Sequence, residues 1–205
     1  MEERLFALGQ TNWLRYLYGR MNCSFNEFGE NLVSFITFNY DRTIEHFLHT
    51  ALCNTYKKHP ELCAEQMSRI PIVHLHGRLG RLPWQGGSAR PYEAAELNPN
   101  DLFIALNGIK IIHEDPTGDR DKDFQEAKRL LDEAERIYFL GFGFDATNVK
   151  RLGLDKLRGN RIDVRATAYG FTTSEIQEIA QRIENRITLH QDVDCISLMR
   201  TNVQW

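Results

Sequence analysis

A zinc framework is missing from this chain of 205 residues: its four cysteines, Cys23, Cys53, Cys63 and Cys195, contain no C-x-x-C pair and no regular spacing. That pattern argues against a zinc ribbon and for reduced thiols. No apolar run approaches the roughly 18 to 20 residues that cross a bilayer. Residues 1–20 carry Glu2, Glu3, Arg4 and Arg15 where a signal peptide needs an apolar segment, so the cytoplasm is the expected address and no membrane partner is expected. A large excess of one charge sign is also lacking. The formal net charge is −3, so nothing global attracts nucleic acid or an anionic surface. Arg158, Arg161 and Arg165 stand close together, and so short a cluster reads as a solvated face. P-loop, G-x-S-x-G, H-E-x-x-H and EF-hand patterns are absent too.

What is present is 42% apolar residues, enough to bury one core, and we expect one domain over 1–205. Apolar residues between Leu5 and Leu17 suggest an amphipathic helix broken near Gly9. NLVSFITF (31–38) and IPIVHLH (70–76) read as strands, with a helix from Thr43 to Lys57 between them that stops at His59-Pro60. A short helix from Asp101 and an amphipathic one over 119–136 follow. IYFL then forms a strand, a Gly-x-Gly turn leads into a helix over 146–157, and RIDVRATAYG (161–170) gives another strand. TTSEIQE offers cap residues for a helix over 172–184. ITLH and CISLM are expected to be short strands. Strands alternating with helices predict an α/β fold, an open doubly wound Rossmann-like parallel sheet with helices on both faces.

In such a sheet the loops beyond residues 38, 75 and 140 lie at strand carboxyl ends, where ligands bind. Their contents are NYD, HLHG and GFGFD. Asn39 and Asp41 admit two roles, a helix cap or a ligand contact; Tyr40 between them is expected to pack. His74 and His76 are expected to face opposite sides, which excludes a shared metal. His76, ahead of Gly77 and a long Gly- and Arg-rich stretch over 77–100, is placed to reach a ligand, and a neutral imidazole suits proton abstraction from a hydroxyl. That stretch reads as a functional loop or lid. GFGFDA (141–146) fits half of a dinucleotide fingerprint: the acid required at the end of the next strand is misplaced, since Asp163 opens that strand and Tyr169-Gly170 close it. A Rossmann-type oxidoreductase is weakened accordingly.

The ordered set ITFNYD, VHLHG and IYFLGFGFD resembles the sirtuin-like domains of bacterial defence proteins, with their T-x-N-Y-D, H-x-H-G and G-x-G-x-x-D elements. The resemblance implies an NAD-binding domain that cleaves NAD to nicotinamide and ADP-ribose, in a setting of antiviral defence. It implies that Asn39 and His76 are catalytic, Asn39 contacting the nicotinamide ribose and His76 acting on its hydroxyl, and that Thr37 and Asp41 belong to the NAD-binding residues, Asp41 helping to shape the nicotinamide pocket. Gly141, Gly143, Asp145 and Asn148 then border the adenosine half of NAD, with Tyr169 near the adenine. Residues 77–136 hold no cysteine, so the two C-x-x-C pairs of protein-deacylating relatives have no counterpart, which points to NAD hydrolysis instead.

The family's first strand and Gly-Ala-Gly loop, which wrap the pyrophosphate, also lack a counterpart before residue 30. The expectation is therefore a fragment of a longer protein, or a domain without that loop. A homo-oligomer or an additional domain remains open, and a nucleotide-binding or protein-interaction module without chemistry is the alternative function.

Overall fold

Asn12 opens the first described element. Its side chain accepts the Arg15 N–H at 2.8 Å and caps α1 (Trp13–Arg20). The computed structural model describes residues 12–92, 98–110, 121–157 and 163–201. The first half of the expected amino-terminal helix, residues 93–97 of the long loop, and Arg158 and Arg161 lie outside the described residues. The chain divides into two compact units, 1–112 and 113–205.

In the first unit a 3-10 turn (Phe25–Glu30) leads to β1 (Phe35–Thr37), followed by α2 (Thr43–Tyr56), α3 (Pro60–Met67), β2 (Ile72–His74), a second 3-10 turn (Pro83–Gln85) and α4 (Pro99–Gly108). β1 and β2 pair in parallel, with Phe35 opposite Ile72 and Thr37 opposite His74. Both strands are shorter than their apolar runs. The Asn31 amide donates to the Phe28 carbonyl at 2.9 Å, closing the turn, and Leu32 is left exposed. Pro60 does not only end a helix; it starts α3 as the first helical residue, where a missing N–H costs nothing. Leu14, Phe28, Phe47, Leu48, Leu52, Cys63 and Leu75 form the buried core of this unit.

The second unit runs α5 (Lys122–Glu133), β3 (Arg136–Phe139), α6 (Ala146–Leu152), β4 (Asp163–Ala168), α7 (Thr173–Arg182), β5 (Thr188–Gln191) and α8 (Cys195–Thr201). Its three strands are parallel in the order β3-β4-β5. Val164, Ala166, Thr167 and Ala168 of the central strand are buried, as in a parallel strand covered on both faces. The expected capping box at α7 forms between Thr172 and Glu175. CISLM, expected as a strand, is helix α8. Asp194 accepts the Ser197 N–H at 2.7 Å, and that cap decides what a five-residue, mostly apolar stretch leaves ambiguous. The fold is thus mixed α/β, with parallel strands in two small sheets. No helix among the described residues is long and apolar enough to cross a membrane.

Candidate functional site

Because β1 and β2 are parallel, the loops that leave them adjoin at one edge of the first unit. The turn out of β1 is fixed by Thr37, whose Oγ1 accepts the Asn39 N–H at 3.0 Å. Tyr40 accepts the Leu79 N–H on its carbonyl at 2.9 Å, tying the two loops together. The Asp41 carboxylate accepts the N–H of Thr43, first residue of α2, at 3.0 Å. Asn39 itself stays exposed.

The half-buried His76 imidazole packs against Phe38 at 5.0 Å and Tyr40 at 6.1 Å between ring centroids. Those rings flank Asn39 in sequence, so Asn39 and His76 share one edge of the sheet. Tyr40 is 38% exposed and belongs to this edge rather than to the core. Gly77 turns the chain after His76 with φ of +78°, and a Cβ there would stand 2.1 Å from the Gly108 carbonyl oxygen. Only glycine fits.

Residues two apart on a regular strand share a face, so opposite sides for His74 and His76 is not what strand periodicity gives. The strand ends at His74. His74 turns inward, its Nε2 at 2.8 Å from Glu45 Oε1 and its Nδ1 at 3.0 Å from the Asn39 carbonyl. His76 lies beyond the strand among aromatic rings. Glu45 is 1% exposed; Arg78 Nη1 stands 3.7 Å from the same oxygen, and Glu45 Oε2 is buried with no hydrogen-bond partner among the described residues. The sequence signal for Glu45 was an acid on the helical stripe it shares with the fully buried Leu48 and Leu52.

The described part of the long loop is pinned. Arg42, 2% exposed, donates to the carbonyls of Arg81 (3.2 Å), Arg90 (2.8 Å) and Pro91 (2.8 Å). Tyr92 stacks on His46 at 3.9 Å and shares a 2.8 Å hydrogen bond with Thr43.

The second unit carries a cleft of about 290 Å³ at the carboxyl ends of its strands, lined by Gly141, Phe142, Gly143, Thr167, Tyr169, Phe171, Asp194 and Cys195. It brings together Gly141, Gly143 and Tyr169 as the sequence suggested. Thr167, Phe171 and Asp194 carry no motif, Cys195 stands in the sequence only as an unpaired thiol, and a strand over CISLM does not bring Asp194-Cys195 to the cleft. Gly141 adopts φ of +65° and donates its N–H to Thr167 Oγ1 at 2.8 Å. Hydrogen bonds from Ser197 hold the Asp194 carboxyl below its usual range, so it is ionised at neutral pH. Burial, reinforced by the Asp194 charge, raises the Cys195 thiol, which stays protonated.

Asp145 and Asn148 stand differently. Asp145 caps α6, accepting the N–H groups of Thr147 at 2.9 Å and Asn148 at 3.2 Å. Neither residue lines the cleft. Aromatic rings, a hydroxyl, a carboxylate and a neutral thiol suit a flat ring bearing hydroxyl donors better than an anion.

Comparison with protein-family models, curated proteins and solved structures returns no match.

Proposed function

We propose that the chain binds NAD and cleaves it to nicotinamide and ADP-ribose, as its resemblance to sirtuin-like defence domains implies. One observation carries the reading: His76 packs against the two rings that flank the exposed Asn39, at the carboxyl edge of parallel β1 and β2. Breaking the nicotinamide glycosidic bond builds positive charge on the ribose. The Asn39 amide offers the ribose hydroxyls fixed polar contacts, and His76 accepts a proton from a hydroxyl. Thr37 shapes the turn that presents Asn39. Asp41 holds the start of α2 and borders the same edge.

Taken by itself, the second unit's cleft over Gly141, Gly143 and Tyr169 suits an adenosine, with Asp194 accepting from its hydroxyl groups. Asp145 and Asn148 act there by shaping the turn into α6.

A reading without chemistry, recognition of the adenosine half alone, is favoured by one detail. Asp145 already occupies the N–H groups at the start of α6, so a phosphate finds no donors in Thr147 and Asn148. The same detail counts against a Rossmann-type oxidoreductase. Product analysis of the purified chain with NAD separates the three readings. Cleavage gives nicotinamide and ADP-ribose in equal amounts, binding alone gives a saturable isotherm and no product, and hydride transfer gives NADH when an alcohol is added.

A further inference from the structure

Behind the exposed Asn39 stand two buried ionisable side chains that the proposed chemistry does not use. Glu45 and His74 are 1% and 6% exposed, a costly place for both unless their contact does something specific. They form a line from α2 through the end of β2 into the loop: Glu45 Oε1 to His74 Nε2 at 2.8 Å, and His74 Nδ1 to the Asn39 carbonyl at 3.0 Å. A carbonyl only accepts, so Nδ1 carries a hydrogen and donates it. Glu45 on the other nitrogen fixes the ring's orientation, as second partners of functional histidines do.

The remaining main-chain contacts of the loop complete the clamp. Thr37 Oγ1 takes the Asn39 N–H, and Leu79 N–H reaches the Tyr40 carbonyl. Both peptide groups of Asn39 are therefore held while its side chain projects into solvent. Strand pairing alone does not require this, since Thr37 and His74 are already in register and the His74 tether reaches past the ladder into the loop.

We infer that His74 and Glu45 are positioning residues that hold the Asn39 main chain, so that the Asn39 amide meets the ribose in a fixed orientation. The catalytic consequence rests on the NAD-cleavage reading; the tether is a geometric claim independent of it.

Two polar replacements of His74 separate its nitrogens. In His74→Asn the amide nitrogen replaces Nδ1 and keeps the donor to Asn39; in His74→Gln it replaces Nε2, keeps the Glu45 contact and releases the loop. Amide hydrogen exchange over residues 37–41 and the kcat and KM of nicotinamide release are measured in both, at matched melting temperature. His74→Gln is expected to speed exchange in 37–41 and to lower kcat by about 100-fold, the cost of an ångström-scale misplacement, with KM nearly unchanged. His74→Asn is expected to retain most of kcat and wild-type exchange.

Equal losses in both variants with unchanged exchange overturn the inference. If the wild-type chain releases no nicotinamide, the NAD reading falls, and exchange alone decides the tether: faster in His74→Gln sustains it, unchanged in both overturns it. If neither variant folds, imidazole nitrogen NMR of the wild type decides, and an Nδ1 without a bound hydrogen overturns the tether.

Discussion

Arg42 Nη1 donates to the main-chain carbonyl of Arg90 at 2.8 Å, across the described part of the loop that follows His76. The same guanidinium reaches Pro91 and Arg81, so a single buried fork serves the Arg90 and Pro91 carbonyls and adds to the Arg81 carbonyl, which also accepts the Arg90 N–H at 2.9 Å. Arg42→Met is expected to cost on the order of 3 kcal/mol, the scale for orphaning several buried acceptors. Arg42→Lys should recover less than half of that, because an ammonium cannot fork. Urea denaturation of both variants checks it, with limited proteolysis reporting whether cleavage moves into residues 81–92.

Asn39 and Asp41 separate by experiment. Asp41 accepts from the first N–H of α2, whereas the Asn39 side chain is exposed. Asp41→Ala is expected to lose about 0.5–1 kcal/mol of stability, the scale of one exposed hydrogen bond ahead of the helix. Asn39→Ala is expected to leave the melting temperature nearly unchanged and to abolish nicotinamide release. A stability loss confined to Asn39→Ala contradicts this assignment.

The two glycines of GFG differ in the same way. Gly141 has φ of +65° with open space around its missing Cβ, so Gly141→Ala meets no clash but carries the left-handed strain of about 1–2 kcal/mol. Gly143 lacks a positive φ and is equally open; Gly143→Ala is expected within about 0.5 kcal/mol of wild type. Because Gly143 lines the cleft, that variant should bind adenosine more weakly at unchanged stability. Calorimetric titration with adenosine reads the difference.

Burial lowers the pKa of His49, against the opposing hydrogen bond to the Pro60 carbonyl. Burial, followed by the Arg165 charge, lowers that of His190. Between those depressed values and the unfolded value near 6.5, the unfolded chain binds more protons, so stability rises with pH there. Acidification is therefore expected to remove stability once pH falls below about 6.5, with no further loss from these groups below their folded pKa values. Urea midpoints from about pH 7 to about pH 5 should fall less steeply in His49→Gln and His190→Gln than in wild type.

Much of this was legible in the sequence. NYD, HLHG and GFGFD stand where an alternating strand–helix pattern puts them, at strand carboxyl ends, because that pattern is local. α2 ends at Tyr56, ahead of His59-Pro60 as expected, and Pro60 also starts α3, since the same ring geometry serves both. CISLM suits a strand because four apolar residues around one serine are too short to show a period, and the decisive cap comes from Asp194. Glu45, His74 and Arg42 were not assigned roles. Each works through a partner distant in sequence, 29 residues from Glu45 to His74 and 48 from Arg42 to Arg90, and only folding brings such pairs together.

The central claim is tested most directly by nicotinamide release from NAD, followed by chromatography, for the purified chain and for His76→Ala. The account predicts release by the wild type and its loss in a His76→Ala variant that still folds. A folded wild type that binds NAD without releasing nicotinamide, or a His76→Ala variant as active as wild type, contradicts it.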